Sequence, residues 1–176
     1  MANRAAIREL QTRLATRLQA ARTEGSSTAW LAVTAGAGNY LFPLVQSGEI
    51  FPLANLQPVP YCQSWFAGVV NLRGGLFGVV ELAGYIAQSP LPARSEQALA
   101  EASVITLHPA LEVNCALMVD SLAGLRNADA FTDSAPPAAA APAYFGNRYT
   151  DLSGAQWQEI NLQSLALQPQ FLSISA

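Results

Sequence analysis

Trp65-Phe66-Ala67-Gly68-Val69-Val70-Asn71-Leu72-Arg73-Gly74-Gly75-Leu76-Phe77-Gly78-Val79-Val80-Glu81-Leu82 is the stretch on which the fold turns. Two runs rich in β-branched and aromatic residues, Phe66 to Leu72 and Leu76 to Val80, flank Arg73-Gly74-Gly75. Adjacent glycines supply the positive φ that a tight turn demands, so the stretch predicts a β-hairpin with an arginine at its tip. Both arms are almost wholly apolar, which predicts protein cover on both faces. A hydrophobic hairpin that presents one cation suits a recognition surface better than a catalytic pocket. The first expectation is therefore a protein that binds other proteins.

The chain has 176 residues, enough for one domain with a sizeable core. Half of it is hydrophobic and only 12% is charged, and all nine basic residues are arginine. The formal net charge of -3 argues against a nucleic-acid partner. The charge is unevenly spread. Residues 1–24 carry Arg4, Arg8, Arg13, Arg17 and Arg22 against Glu9 and Glu24, a balance of +3, which leaves the remainder at -6. Cys62 and Cys115 fit no metal spacing. A disulfide between them stays open, with two buried free thiols the favoured expectation for a chain whose first 24 residues contain no secretory signal. The 65–82 run contains Arg73, Glu81 and four glycines, so it is expected to be a soluble hairpin and not a membrane span.

Outward from the hairpin, the chain divides into a helical extension with a linker (1–27) and a body (28–176). Ile7, Leu10, Leu14, Leu18 and Ala21 fall at spacings of three and four, one stripe of a helix from about Ala5 to Arg22. That stripe packs on the body or on a partner. A membrane surface is the weaker alternative, because the apolar face lacks Trp and Phe. Gly25-Ser26-Ser27 ends the helix. Strands are expected over Ala29 to Thr34 and Tyr40 to Val45, with Gln46 to Phe51 as a bent continuation. Pro52, Pro58 and Pro60 mark an extended loop. Beyond the hairpin, Gly84 to Ser89 suggests a helical turn, and Ser95 and Glu96 open a brief helix. Ser103 to Leu107 and Val113 to Val119 form a second hairpin around His108-Pro109-Ala110. Strands follow at Leu122 to Arg126, Tyr144 to Tyr149 and Gln156 to Asn161, then a short helix from Leu162 to Leu167. Residues 134–143 are low in complexity and expected to be a flexible loop. Many short strands at regular spacing indicate barrels or a sandwich.

The residues of common active sites are scarce. His108, the only histidine, precedes a proline at a turn and is expected to be exposed; a Ser or Cys nucleophile would need such a base within hydrogen-bond reach. Glu49, Glu81, Asp120 and Glu159 show no paired spacing, although two carboxylates distant in sequence can meet in space. No phosphate loop, dinucleotide fingerprint, zinc spacing or calcium loop occurs. No catalytic residue, metal ligand or cofactor is expected. Arg73-Gly74-Gly75 as a phosphate holder rests on a lone Gly-Gly pair.

Gly68-Val69-Val70-Asn71-Leu72-Arg73-Gly74 followed by Gly78-Val79-Val80-Glu81-Leu82 resembles the hairpin and following strand of the CheW-like chemotaxis adaptors. Tyr40 to Ile50, ending in Glu49-Ile50, is similar to the family's strand that closes on a Glu-Ile pair. Ala116 to Leu122 and Glu159-Ile160-Asn161-Leu162 resemble its later segments, so the likeness runs from about Ala29 to Leu167. Glu81 stands where the family favours aspartate, Gly78 where it favours proline, and Ala116 where it favours glycine. The arginine-bearing extension resembles that of adaptors in the chemosensory system that governs type IV pili.

The resemblance implies an all-β fold with minor helices: two five-stranded, SH3-like barrels sharing a hydrophobic core, with the terminal helix packed against them. It implies no catalytic activity. The expected role is a cytoplasmic adaptor that couples the cytoplasmic tips of methyl-accepting chemoreceptors to the regulatory domain of a CheA-type histidine kinase, without membrane insertion of its own. Glu49, Ile50, Asn71 and Arg73 match receptor-facing positions, and Val69, Leu76 and Phe77 are candidates for the kinase edge. Arg73 offers bidentate bonds to a receptor carboxylate, with Ile50 as an apolar anchor beside it. Competing structural roles are open: Asn71 as a cap of the turn, and Arg73 as a partner of Glu49.

Overall fold

A strand that is apolar at every position needs a layer of protein on each face, and the architecture supplies both layers. The structure, a computed structural model, describes residues 2–23 and 29–176, with the backbone alone at residues 2–3 and 20–23. The expected Gly25-Ser26-Ser27 linker lies outside the described residues. Helix α1 (Ala2–Thr23) leads into β1 (Ala29–Ala35), β2 (Gly38–Pro43), a single 3-10 turn at Leu44–Gln46, and β3 (Ser47–Pro52). The central hairpin is β4 (Phe66–Leu72) and β5 (Gly75–Glu81), followed by α2 (Leu82–Ala87) and α3 (Glu96–Glu101). Then come β6 (Ser103–Leu107), β7 (Cys115–Val119), β8 (Ser121–Asn127), β9 (Phe131–Ala135), β10 (Phe145–Asp151) and β11 (Gln156–Ile160). Helices α4 (Leu162–Ala166) and α5 (Pro169–Leu172) close the chain.

The strands form a six-stranded sheet in the order β8-β1-β2-β11-β10-β9 and a five-stranded sheet in the order β3-β6-β7-β5-β4. Both are rolled. In the first, β1 and β9 are four places apart, about 19 Å in a flat sheet, yet the rings of Trp30 and Phe131 lie 5.7 Å apart. In the second, β3 and β4 are likewise four places apart, and Glu49 on β3 nevertheless meets Arg73 at the hairpin tip. The segment between them assists closure: Leu53 N–H donates to Ala102 O, and Gln57 and Val69 exchange two backbone bonds of 2.9 Å. Gly68 permits that approach, because a Cβ there would lie 2.2 Å from the Gln57 oxygen.

Alternation along each strand sorts side chains between a barrel's own interior and a core shared by both sheets. From β1, Trp30 and Ala32 join Leu41 and Trp157 inside the first sheet, while Leu31, Val33 and Ala35 enter the shared core. From β7, Ala116 and Met118 join Val70, Val79 and Val104 inside the second, while Cys115, Leu117 and Val119 face the shared core. This double cover explains the unbroken apolar runs. It also raises the Cys115 thiol to about 12 by burial. Cys115 is buried, Cys62 is half-buried, and both are free.

The structure differs from the sequence expectation in several details, the first being six strands in one sheet where five are expected. The bent continuation after β2 is a separate strand, β3, which crosses to the other sheet. Ser134 and Ala135, placed in the Pro/Ala loop, pair with Tyr149 and Arg148 as part of the unforeseen strand β9. The hairpin arms are not covered throughout, since Asn71 is exposed and Leu76 is 62% exposed at the free end.

Helix α1 packs against β3 and β8, the edge strands of different sheets. Leu14 and Leu18 are buried in the shared core, worth roughly 3–6 kcal/mol together before the entropy of ordering the helix is subtracted. Gln11 Nε2 donates to Ser103 Oγ at 2.8 Å in a buried contact. The middle of the apolar stripe therefore faces protein, while Leu10 of the same stripe is 48% exposed.

Candidate functional site

The site begins with a turn. Leu72 pairs with Gly75, so Arg73 and Gly74 alone occupy the corner, with φ of 50° and 83°. Positive φ at both central positions defines a type I′ turn. The two left-handed residues are thus Arg73 and Gly74 instead of the adjacent glycines, and Gly75 begins β5. Asn71 Oδ1 accepts from the Gly74 N–H at 3.0 Å and caps the corner.

Barrel closure then brings Glu49 to the tip. Arg73 Nη2 lies 3.0 Å from Glu49 Oε2, with the arginine side chain 73% exposed and the carboxylate 38%. Both intramolecular roles open in the sequence, the cap and the ion pair, are therefore realised. The pair is solvated enough to contribute little stability, about 0.5 kcal/mol. The Arg73 guanidinium also sits 5.8 Å from the centre of the Phe51 ring. Period-two spacing on β3 puts Phe51 on the same face as Glu49, a signal not used in the sequence reading.

Two clefts flank the pair. One, of about 370 Å³, has Glu49, Phe51, Arg73, Phe77, His108 and Asn114 in its walls. The other, of about 350 Å³, runs between α1 and β3, where Thr12, Ala15, Thr16 and Ile50 face Glu49 and Arg73. Ile50 is only 7% exposed and belongs to the shared core. It contributes only a small apolar part of the cleft wall. His108 is half-buried, not exposed, and its Nδ1 accepts from the Ala110 N–H at 3.1 Å.

Of the other predicted contact residues, Leu76 is exposed, while Val69 and Phe77 are half-buried. Val69 already exchanges both outward backbone groups with Gln57. Strand addition at that point of β4 is thereby blocked, and a partner here has the apolar side chains near Leu76 to use.

The dispersed carboxylates all have partners. Arg94 Nε binds Glu81 Oε1 at 2.7 Å, and its Nη1 binds Asp120, whose second oxygen accepts from the Gly36 N–H at 2.7 Å. Glu81 and Asp120 are thus brought together, but across a guanidinium. Burial acts to lower the Arg94 pKa, and the hydrogen bonds and charges of Asp120 and Glu81 outweigh it, so the net shift is upward. Glu159 Oε2 accepts from the Trp30 indole at 2.8 Å. Among the described residues no group of His, Cys, Asp and Glu is placed to hold a metal ion. None of their helices is long and apolar enough to cross a membrane.

The family model described as CheW-like domain matches residues 29–168, most of the chain. The chain belongs to the CheW-like family. It is an adaptor of chemosensory signalling, in a family of non-catalytic scaffolds. Protein PilI of Pseudomonas aeruginosa is 27% identical over 131 residues, covering 73% of this chain and 70% of that protein. The fold resembles that of the scaffolding protein TtCheW from Thermoanaerobacter tengcongensis, with a TM-score of 0.60 at 13% identity, over 77% of this chain and 89% of that one. The CheW-like region begins at β1, so α1 lies outside it.

Proposed function

We propose that this CheW-like chain couples chemoreceptor tips to a CheA-type histidine kinase in an array that controls type IV pilus twitching motility. The likeness to PilI favours the pilus pathway over a flagellar one. The observation that carries the reading is the Arg73–Glu49 pair, held on the rim of the rolled sheet between two clefts. A receptor carboxylate that takes over Arg73 gains a charge-assisted, bidentate contact in exchange for a weak solvated one. Glu49, Ile50, Asn71 and Arg73 form the receptor side. Val69, Leu76 and Phe77 form the kinase side, with Leu76 as its exposed apolar contact. The adaptor works by binding alone, without turnover, in the cytoplasm beneath membrane-attached receptors.

The test is binding of the wild type and Arg73→Glu to a recombinant chemoreceptor cytoplasmic tip and, separately, to the kinase regulatory domain. Charge reversal at a contact arginine is expected to weaken tip binding by about thirtyfold or more while kinase binding persists. A wild type that ignores both partners would overturn the reading.

A further inference from the structure

We propose that α1 is an internal occupant of a helix-accepting groove between the two sheets, and that a partner helix reaches Glu49, Ile50 and Arg73 by displacing it. This rests on the receptor-facing reading of those residues and adds the regulation of that site.

The seat is the first argument. Helix α1 spans the edges of both sheets, β3 on one side and β8 on the other. Its Leu14 and Leu18, one helical turn apart, enter the same core as Ile50. An amphipathic helix is thus already seated there, which establishes what shape and polarity the groove accepts. Ile50, at 7% exposure, offers a partner little surface while α1 stays.

The attachment is the second argument. A buried polar contact between α1 and the body joins Gln11 to Ser103, both neutral. Water can satisfy each group after separation, so breaking that contact strands no charge. Among the described residues no ion pair joins α1 to the body; Arg13 pairs with Glu9 within the helix. The contact is the kind a competitor can replace.

The third argument identifies the competitor. Where α1 faces Arg73, the helix side of the cleft presents Thr12, Ala15, Thr16, Leu18 and Gln19, and no carboxylate of α1 is among them. A helix with leucine-sized residues at i and i+4 repeats the apolar contact. One that also carries a carboxylate towards Arg73 gains a charge-assisted ion pair that no described acid of α1 makes. That difference in affinity between the two occupants drives exchange, because a ligand shifts an equilibrium only by what it gains in one state over the other. The partner is accordingly an acidic amphipathic helix, the chemistry expected of the receptor tip.

The experiment uses the full chain and a recombinant chemoreceptor cytoplasmic tip. Leu18→Asp unseats α1, and Gln11→Ala loosens it without adding charge. Leu18→Asp is expected to bind the tip about tenfold tighter than wild type, with Gln11→Ala between them, because apparent affinity scales with the fraction of open groove. Amide exchange should show α1 of the wild type losing protection when the tip binds. Unchanged or increased protection of α1 in the complex overturns the proposal, as does tip binding by both variants no tighter than wild type. If Leu18→Asp fails to fold, Gln11→Ala and the exchange measurement decide. Binding of the tip by none of the three chains, with the kinase domain still bound, removes the receptor reading and this proposal with it.

Discussion

Arg73 stands in a conformation that its side chain disfavours. A residue with a Cβ in the left-handed region gives up about 1 kcal/mol relative to a residue that tolerates it, and the Glu49 pair returns about half of that. Backbone strain held at an exposed position marks residues kept for contact more than for stability. Asparagine is the favoured first residue of a type I′ turn before glycine. Arg73→Asn is therefore expected to raise stability by about 0.5 kcal/mol in urea titration while weakening receptor-tip binding at least tenfold. A variant less stable than wild type would show that the contacts to Glu49 and Phe51 outweigh the strain. The conformation was not legible in the sequence, although the hairpin was. Gly74-Gly75 and Arg73-Gly74 are both competent corners, and they differ by one residue of register. Hydropathy ordinarily settles such a choice, because a one-residue slip exchanges the faces of a strand. Here Val79 and Val80 are both buried, one in each core, so either register satisfies the pattern. Asn71 was legible as a cap because that role depends only on its place beside the corner.

At the scale of elements, the β10–β11 connection shows what spacing alone conceals. Asp151 accepts from Ser153 N–H, Ser153 Oγ–H and Ala155 N–H through one oxygen, and from the Trp157 indole through the other. The Ser153 and Trp157 side-chain bonds, aided by the backbone of Ala155 and Ser153, hold its pKa down to about 2 from an ordinary 3.8. A depressed carboxylate stabilises the fold above its unfolded value, and that contribution is lost as pH falls through the folded one. Asp151→Asn is expected to lower the urea midpoint at pH 7 and to flatten its fall between pH 4 and pH 2. Equal slopes for variant and wild type across that window would show that the network carries no such linkage. The Asp-Leu-Ser-Gly turn was within reach of sequence, since an aspartate followed two residues on by serine is a turn signal. Strand β9 was not: Phe131-Thr132-Asp133-Ser134-Ala135 has little apolar alternation, because it is an edge strand whose residues beyond Phe131 face solvent. Helix α2 was misplaced by two residues for a different reason. Leu82 to Tyr85 are all buried, and a helix covered on all sides shows no amphipathic period to mark where it begins.

For the whole molecule, the shared core decides how the parts stand or fall together. Each sheet has a small interior of its own, but the largest cluster draws Leu31 and Val33 from one sheet, Ile105 and Leu117 from the other, and Leu162, Leu165 and Phe171 from the terminal helices. Removing either sheet would expose the inner face of its neighbour, so neither has an independent core of useful size. That predicts one cooperative transition despite two sheets. The tryptophans allow a clean check. Trp30 and Trp157 lie inside the first barrel, and Trp65 packs on Tyr85 and Phe171 in the shared core. In a Trp65→Phe variant, fluorescence reports the first barrel alone while far-UV circular dichroism reports both sheets. The two urea midpoints are expected to coincide. Helix α1 is attached through one face and is expected to open below that transition, with exchange protection lower than that of β1 or β7. Fluorescence that leads or trails circular dichroism would mean that the barrels unfold separately.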